Sequence, residues 1–523
     1  MIKRILVLII IVSSFNLYSQ EYPATFKLGE KSLKKSDDKS PIGNSIGDIA
    51  IGNGMIWAST GQGLTMTNDG GNTWQNFPLS NFGNNKIYSM GYHEDIIWVG
   101  VGKKNSDDVD VGGGIWFSQN NGENWTNIPQ PVDDPGDSSI IYGINNMRAL
   151  PVTVPQQNVI WDISFTSDEI WIASWAAGIR KCKTSELISN PTMSWDRVIL
   201  PSDNLNSISP NDVLTFSLQV QSGKFGPEAY LNHLGFSVDA VNDNEIFAGT
   251  AGGLNRSTDG GISWEKFTHT NQDKPMGANW VVGVDVNPYN GEIWAATWKA
   301  EGTDEFYGVS ASADNGQTWS TFLSGSKANN FGFKFDEVMA ATNIGLFRTL
   351  DKGTNWIAPA SIIDARTGAP IHSNFYISAI TEYLPDNKVN IWLGSSGGLA
   401  VITEDDNSKV WEGDWNVFKA SQPLSSVNET YCAPNPYYPN KNRPLKIVYS
   451  TNNKLANVTI RVFDFGMNLV KTIIQNVSRN GNELEEYWDG RDESGTVLPN
   501  GVYFYSVVRN DDDPIFNKIM ILR

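Results

Sequence analysis

The sequence predicts an all-β chain, a seven-bladed β-propeller followed by a small β-sandwich. Three observations predict it. A short turn motif recurs along the chain, seven Ile-Trp-type strands stand at comparable intervals, and 48 glycines and 19 tryptophans accompany a charged fraction of only 18 %. No stretch sustains the apolar periodicity of a long amphipathic helix, so short strands and many turns are expected.

Residues 1–20 carry Lys3 and Arg4, the apolar run Ile5 to Val12 and a polar exit at Tyr18-Ser19-Gln20, the layout of a secretory leader. Cleavage is expected near Ser19 or Gln20, with residues 21–40 as a linker. No Cys follows the apolar run, and no later stretch approaches the ~18 apolar residues of a membrane span. A secreted or cell-surface protein without a membrane span after leader removal is the expectation. Two of the 39 basic residues lie in the leader, against 57 acidic residues overall. Such an excess repels nucleic acid and anionic membranes and leaves glycans, proteins or cations as partners. Cys182 and Cys432 are the only cysteines. They exclude a disulfide framework or a Cys-based metal motif and either pair or remain free.

The recurring turn reads Thr67-Asn-Asp69-Gly-Gly71-Asn-Thr73-Trp74, then Ser257-Thr-Asp259-Gly-Gly261-Ile-Ser263-Trp264, then Ser312-Ala-Asp314-Asn-Gly316-Gln-Thr318-Trp319. Looser copies run Ser118 to Trp125, with Asn120 in the Asp position, and Thr349 to Trp356, with Asp351. The motif resembles the Asp-box, or bacterial neuraminidase repeat. Locally, the Asp and Ser/Thr oxygens accept backbone N–H groups, the Gly supplies a positive φ and the Trp opens the next strand and enters the core. The resemblance implies a hairpin lock on the side away from any active site.

A second element precedes each turn: Ile56-Trp57, Ile97-Trp98, Ile170-Trp171, Ile246-Phe247, Ile293-Trp294, Val338-Met339 and Ile391-Trp392. Each follows a tight turn, and an apolar strand precedes that turn. The unit is four antiparallel strands, the plan of a propeller blade, and seven units span residues 41–420. The two units without a clear box supply outer tryptophans, Trp195 and Trp415. Two intervals hold ~30 residues beyond the ~45 of a bare blade, so they carry insertions.

From residue 430 to 523 the pattern changes: Tyr431-Cys-Ala-Pro-Asn-Pro436, strands at Leu445 to Tyr449 and Val458 to Phe463, Trp488-Asp-Gly-Arg-Asp-Glu-Ser-Gly495, Gly501-Val-Tyr-Phe-Tyr505 and a Lys518-containing last strand. The segment resembles the immunoglobulin-like domain of flagellar hook-capping proteins and the C-terminal sorting domains of type IX secretion. That resemblance implies the type IX machinery as a partner and passage across the outer membrane; an accessory sandwich without a targeting role is the alternative. Trp488, Val502, Phe504 and Ile519 are expected to alternate as its inner face.

Connectivity places the box turns and the first turn of each blade on one face. The loops Lys103–Gly112, Gln130–Gln157, Pro201–His233, His269–Asn279, Lys299–Tyr307 and Pro359–Ser373 are assigned to the other, loop-rich mouth. Trp175, Trp280, Trp298, Lys299 and Tyr307 are the candidate ligand-binding residues there, with Phe306, His269, Arg366 and His372 as company, because aromatic faces beside polar groups suit sugar rings or protein hot spots. Asp107, Asp108, Asp110, Asp133, Asp134, Asp137, Asp304 and Glu305 are placed on the same face. Three readings of these acids stay open: paired carboxylates for glycoside hydrolysis or a lyase, calcium at Asp108-Val-Asp110, or solvated loops. No cofactor motif is present, no catalytic residue is assigned, and no Arg-Ile-Pro signature of a sialidase is found. A glycan- or protein-binding propeller is the first reading, a glycoside hydrolase or lyase the second and an envelope scaffold the third.

Overall fold

The computed structural model describes residues 40–523 apart from 219–229, 301–303, 367–369, 372–374, 406–408, 421–423, 425, 440–443 and 482–483. The expected leader and, save Ser40, the expected linker lie outside the described residues, as does His372. The chain divides into two compact units, Asp38–Ala360 with Asn374–Gly413, and Ser361–Ser373 with Asp414–Arg523. Within the second unit the Asp364 carboxylate accepts the Val417 N–H at 2.7 Å and joins its two segments.

In the first unit, seven antiparallel sheets among the described residues repeat one plan, covering 46–78, 86–128, 160–197, 235–267, 280–322, 328–349 and 376–404. The first strand of each sheet lies beside the first strand of the next, and that of the seventh lies beside that of the first. The unit is therefore a β-propeller with its first strands around the centre. The predicted anchors form the second strands and are sealed: Trp57, Trp98, Trp171, Trp294, Trp392 and Met339 are 0 % exposed and Phe247 is 1 % exposed.

The Ser/Thr–Asp turns join third strands to outer edges. In the sheet over 235–267, Ser257 Oγ donates to Asp259 Oδ1 at 2.8 Å, Gly261 N donates to Ser257 Oγ at 2.8 Å and Ser263 N donates to Asp259 Oδ1 at 2.8 Å. The same set recurs at Thr67/Asp69, Ser118/Asn120, Ser312/Asp314 and Thr349/Asp351. Trp74, Trp264 and Trp319 also donate their indole N–H to the turn Gly carbonyl. Trp125 and Trp356, in the looser copies, have no such partner.

Four of these turns, at Gly122, Gly261, Gly316 and Gly353, are also contacts with the preceding sheet. Trp264 stacks edge-on with Trp171 at 6.4 Å, Trp319 with Phe267 at 6.4 Å and Trp125 with Phe77 at 5.6 Å. Gly261 has φ +84°, and a Cβ there would meet the Trp171 ring at 2.5 Å. Gly122, Gly316 and Gly353 stand in the same way against Phe77, Phe267 and Phe322. Glycine is required twice, for the left-handed backbone and for the close approach.

All seven first strands carry a β-bulge near their start, at Gly47, Tyr88, Trp161, Phe236, Val282, Asn329 and Ile377. Polar residues just beyond the bulge stitch several sheets to the next. Asp48 accepts Met90 N–H at 3.0 Å, Asp162 accepts Val238 N–H at 2.9 Å and Asn330 accepts Ala379 N–H at 2.8 Å. Two residues further along their strands, Asp239 and Asp285 accept the N–H groups of Val286 and Phe331 at 2.9 and 3.2 Å.

Three features depart from the expected pattern. In the third sheet a short helix, Thr184–Ser189, stands where a Ser/Thr–Asp turn would be. The sixth sheet has three strands. Beside its edge strand lies a buried ion cluster, in which Arg348 makes paired hydrogen bonds to Glu404 at 2.8 Å and Lys334 also reaches Glu404 at 2.8 Å. The long insertions, moreover, are not confined to the mouth. The hairpin Ser139–Tyr142 and Asn145–Arg148 reaches the turn rim, where Tyr142 Oη donates to Ile262 O at 2.7 Å, and Ser207–Ile208 pairs with Trp264–Phe267 as a fifth strand. An unpaired outer strand is a liability, and this added strand covers it.

The second unit contains two sheets, Tyr431–Ala433, Leu445–Tyr449 and Leu484–Trp488 in one, and Leu469–Arg479, Ala456–Phe463, Gly501–Arg509 and Ile515–Ile521 in the other. Trp488 and Ile519 are in its core, as expected, but Val502 and Phe504 are not. Tyr503, Tyr505 and Val507 point inward instead. A strand alternates with period two, so a register displaced by one residue exchanges its faces. The buried tyrosines are accommodated because Tyr503 Oη donates to Pro499 O at 3.1 Å and Tyr505 Oη lies 3.2 Å from Thr430 Oγ1. Cys182 and Cys432 are both free thiols.

Two predictions follow from the stitching between sheets. Asp259→Ala should lower unfolding stability by about 1–2 kcal/mol through lost turn hydrogen bonds, and Gly261→Ala by roughly 2–4 kcal/mol through left-handed strain and overpacking. Chemical denaturation ranks the two, and an equal or reversed order would contradict the close-approach argument. The second concerns the carboxylates of the first strands, which are half-buried. Burial is the largest cause that raises Asp48 to about 7, Asp162 to about 8 and Asp239 to about 6, and it holds Asp285 well above its ordinary value. Folded values above the unfolded one mean that folding takes up protons, so this stabilisation is full below about pH 4 and is lost as pH rises through 6 to 8. The melting temperature should fall between pH 5 and pH 8, and Asp162→Asn should flatten that slope; a profile unchanged by the substitution would refute the assignment.

Candidate functional site

Antiparallel alternation sets the Ser/Thr–Asp turns on one face of the propeller. The ends of the second strands and the starts of the first strands share the opposite face. Trp175 follows the second strand of the third sheet, Glu169–Ser174. Trp280 opens the first strand of the fifth sheet, Trp298 closes its second, and the two stand opposite each other in register. Tyr307 immediately precedes its third strand, Gly308–Ser312.

These positions bring four of the five candidate residues into two adjoining aromatic groups. Trp175 lies 6.1 Å from Trp280, and Phe236 fills the angle between them at 5.3 and 5.4 Å. Trp298 lies 6.3 Å from Tyr307, and Lys327 stands over both rings at 4.9 and 4.7 Å. The Trp298 indole donates to Ala328 O at 3.0 Å, which fixes its orientation. Burial lowers the pKa of Lys327 from its ordinary range. Lys299 follows Trp298 and is half-buried.

Phe236 and Lys327 were not foreseen from sequence, nor was the neighbouring pair Tyr88 and Trp161, 5.4 Å apart and nearly perpendicular. Tyr88, Trp161 and Phe236 are all bulge residues of first strands. An extra residue in a strand re-aims its side chain, which takes these rings out of the alternation that a sequence reading follows. No residue type is common to the seven bulge positions, so the sequence carried no signal for these rings.

The remaining mouth candidates mostly serve their own loops. Phe306 N donates to Gly277 O at 3.1 Å, and His269 Nδ1 lies 2.6 Å from Met276 O. Arg366 belongs to the second unit and pairs with Asp364 at 3.1 Å. Among the acids, Glu305 accepts the Ala300 N–H at 2.8 Å and the Asn279 N–H at 3.3 Å. Asp133 is buried against Arg180 at 2.7 Å. Asp110 accepts Tyr88 Oη at 2.8 Å and Asp108 pairs with Lys104 at 3.0 Å, so the two carboxylates of the calcium candidate have different partners. Asp107, Asp134 and Asp304 are exposed. Among the described residues no group of three His, Cys, Asp or Glu side chains is placed to hold a metal ion.

Residues 438–513 match the family model of the FlgD Ig-like domain. The chain is 26 % identical over 275 residues to an oligoxyloglucan-reducing end-specific xyloglucanase of Emericella nidulans, a match covering 50 % of this chain and 30 % of that protein. The chain thus spans less than a third of that curated relative. Among solved structures it is similar to a GH74 enzyme of Niastella koreensis, with TM-score 0.46 and 12 % identity over 93 % of this chain and 74 % of that one. It is also similar to PorZ of Porphyromonas gingivalis, a bacterial surface component of the type-IX secretion system, with TM-score 0.31 and 13 % identity over 91 % of this chain and 65 % of that one.

Proposed function

We propose that the chain is an exported, carbohydrate-binding β-propeller whose ligand lies across the half-buried Trp175 and Trp280 rings, with the buried Phe236 ring behind them. The observation that carries this reading is the run of adjoining rings across the third, fourth and fifth sheets on the face away from the Ser/Thr–Asp turns. Aromatic faces at the rim of a rigid scaffold supply apolar area to the C–H faces of sugars at little entropic cost, and the neighbouring amides and hydroxyls supply polar contacts. Lys327 already covers Trp298 and Tyr307, which leaves the Trp175 group as the primary platform and the Trp298 group, with Lys299, as its flank. The partial match to a xyloglucanase supports a carbohydrate ligand.

A second reading, glycoside hydrolysis, draws on the same match. Against it, Glu305 and Asp133 each hold protein groups, so both acids already have a structural duty. The Ser/Thr–Asp turns are taken as Asp-boxes with a purely structural role. The C-terminal unit is taken as the address for export by type IX secretion, on the strength of its FlgD Ig-like match and its motif order.

Binding is tested on a glycan array followed by calorimetry on each hit. Trp280→Ala and Trp175→Ala should each weaken affinity by about 30-fold, near 2 kcal/mol, whereas Asp108→Ala and Asp304→Ala should change it less than about fivefold. Normal binding by both Trp variants, with turnover abolished in an Asp variant, would establish the hydrolase reading instead. Export is tested by deleting residues 430–523 in the native host, which should leave the propeller in the periplasm; normal release outside the cell would reduce the second unit to an accessory module.

A further inference from the structure

Beside Trp175 lies a cavity of about 60 Å³, whose walls include Ala176, Gly178, Arg197, Tyr230, Asn232 and His233. It begins at the turn that directly follows the Trp175 ring and so adjoins the aromatic platform. Its size is that of about two waters, which fits a single carboxylate group and not a whole sugar ring.

The charges around it do not balance. Arg180 and Arg197 face each other in register across the third and fourth strands of the third sheet. They share one carboxylate, Asp133, at 2.7 and 3.7 Å. Asp133 cannot neutralise both. Burial alone would raise it, yet Arg180 and Arg197 hold it below its ordinary value. The Arg180 side chain is 1 % exposed, and its Nε and Nη2 have no hydrogen-bond partner among the described residues. Arg180 is not on the cavity wall, so these donors lie behind it and Arg197 is the cation that a group in the cavity meets. Arg197 is tied to Leu150 O at 2.8 Å yet remains 17 % exposed on the cavity wall. His233 engages Tyr230 O through Nδ1, which leaves Nε2 as the ring nitrogen for the cavity. Of the other acids, the exposed Asp137 acts on Arg197, and Asp203, raised by burial, feels Lys266 and His233.

We propose that this cavity receives the carboxylate of a uronic-acid residue in a polysaccharide whose ring rests on the Trp175 and Trp280 platform. The proposal rests on the carbohydrate reading above and narrows its ligand to an acidic glycan. Arg197 is the direct partner of the carboxylate, and Arg180 supplies the uncompensated charge behind it. An excess of acidic residues elsewhere repels polyanions in general, so recognition of a uronate depends on this one cationic recess.

The test compares oligogalacturonides with their fully methyl-esterified forms, in which each carboxylate is replaced by a neutral ester, by calorimetry on the full chain. The free acids should bind at least tenfold more tightly. Arg197→Gln should abolish that difference and Arg197→Lys should keep part of it, while Trp280→Ala should weaken both forms together. Unchanged melting curves show that each variant is folded, and His233→Gln serves as a second probe of the cavity if Arg197→Gln is unstable. Equal binding of acid and ester, or binding of uncharged glycans alone, overturns the uronate site and leaves the platform standing. Absence of binding to any glycan overturns the platform itself, and Arg197-dependent capture of an acidic peptide in preference to oligogalacturonides overturns the assignment to glycans.

Discussion

One added residue near the start of each first strand governs both the cohesion of the propeller and the character of its mouth. A regular strand would send alternate side chains into the two neighbouring sheets throughout its length. The bulge breaks that alternation at the same level in all seven sheets. Beyond it, Asp48, Ser89, Asp162, Ser237 and Asn330 bond the backbone of the next sheet. At it stand three aromatic rings, Tyr88 and Trp161 half-buried and Phe236 buried against Trp175 and Trp280. The same device therefore joins neighbouring sheets with polar contacts and places aromatic rings on the mouth side.

This explains why the fold was more legible than the site. The Ser/Thr–Asp turns are local: four residue types at fixed offsets satisfy one another, and the sequence displays all of them. The buried Trp of each second strand is equally plain, since a large ring within an apolar run has nowhere to go but the core. The bulges leave no such mark. Gly47, Tyr88 and Val282 share a structural position and no chemistry, so only the register of the neighbouring strand reveals them. Phe236 was missed for that reason, and so was the inward set of the last domain, where choosing Val502 and Phe504 over Tyr503 and Tyr505 displaced the strand by one residue. Hydroxyls made Tyr503 and Tyr505 look outward-facing, but a hydroxyl with an acceptor is compatible with burial.

Loop placement failed for a different physical reason. Connectivity fixes where an insertion leaves and re-enters the sheets, but not where it goes between. The 130–157 segment leaves and returns on the mouth side, with Gln157 N on Asp110 O at 2.7 Å, yet its hairpin lies against the opposite rim. The second insertion meets it there, with Asn145 Nδ2 on Asp212 O at 2.8 Å. Both are drawn by the same need, since the outer strand of the fourth sheet presents free backbone groups that Ser207–Ile208 satisfies.

The acids show how composition misleads about chemistry. A chain so rich in Asp and Glu invites a search for paired carboxylates, and several do stand on the mouth side. Their partners decide what they can do. Glu305 holds two loop amides, Asp110 holds the hydroxyl of a bulge tyrosine and Asp133 lies between two arginines. A carboxylate that accepts fixed protein donors is orienting its loop, and withdrawing it to act as a general base would leave those donors buried and unpaired. The reverse holds for the cations. Around Asp133 two largely buried arginines share one buried acid, and Arg180 retains donors without acceptors. A protein with a surplus of negative charge thus keeps a local deficit of it under cover, and that deficit is what the uronate proposal draws on.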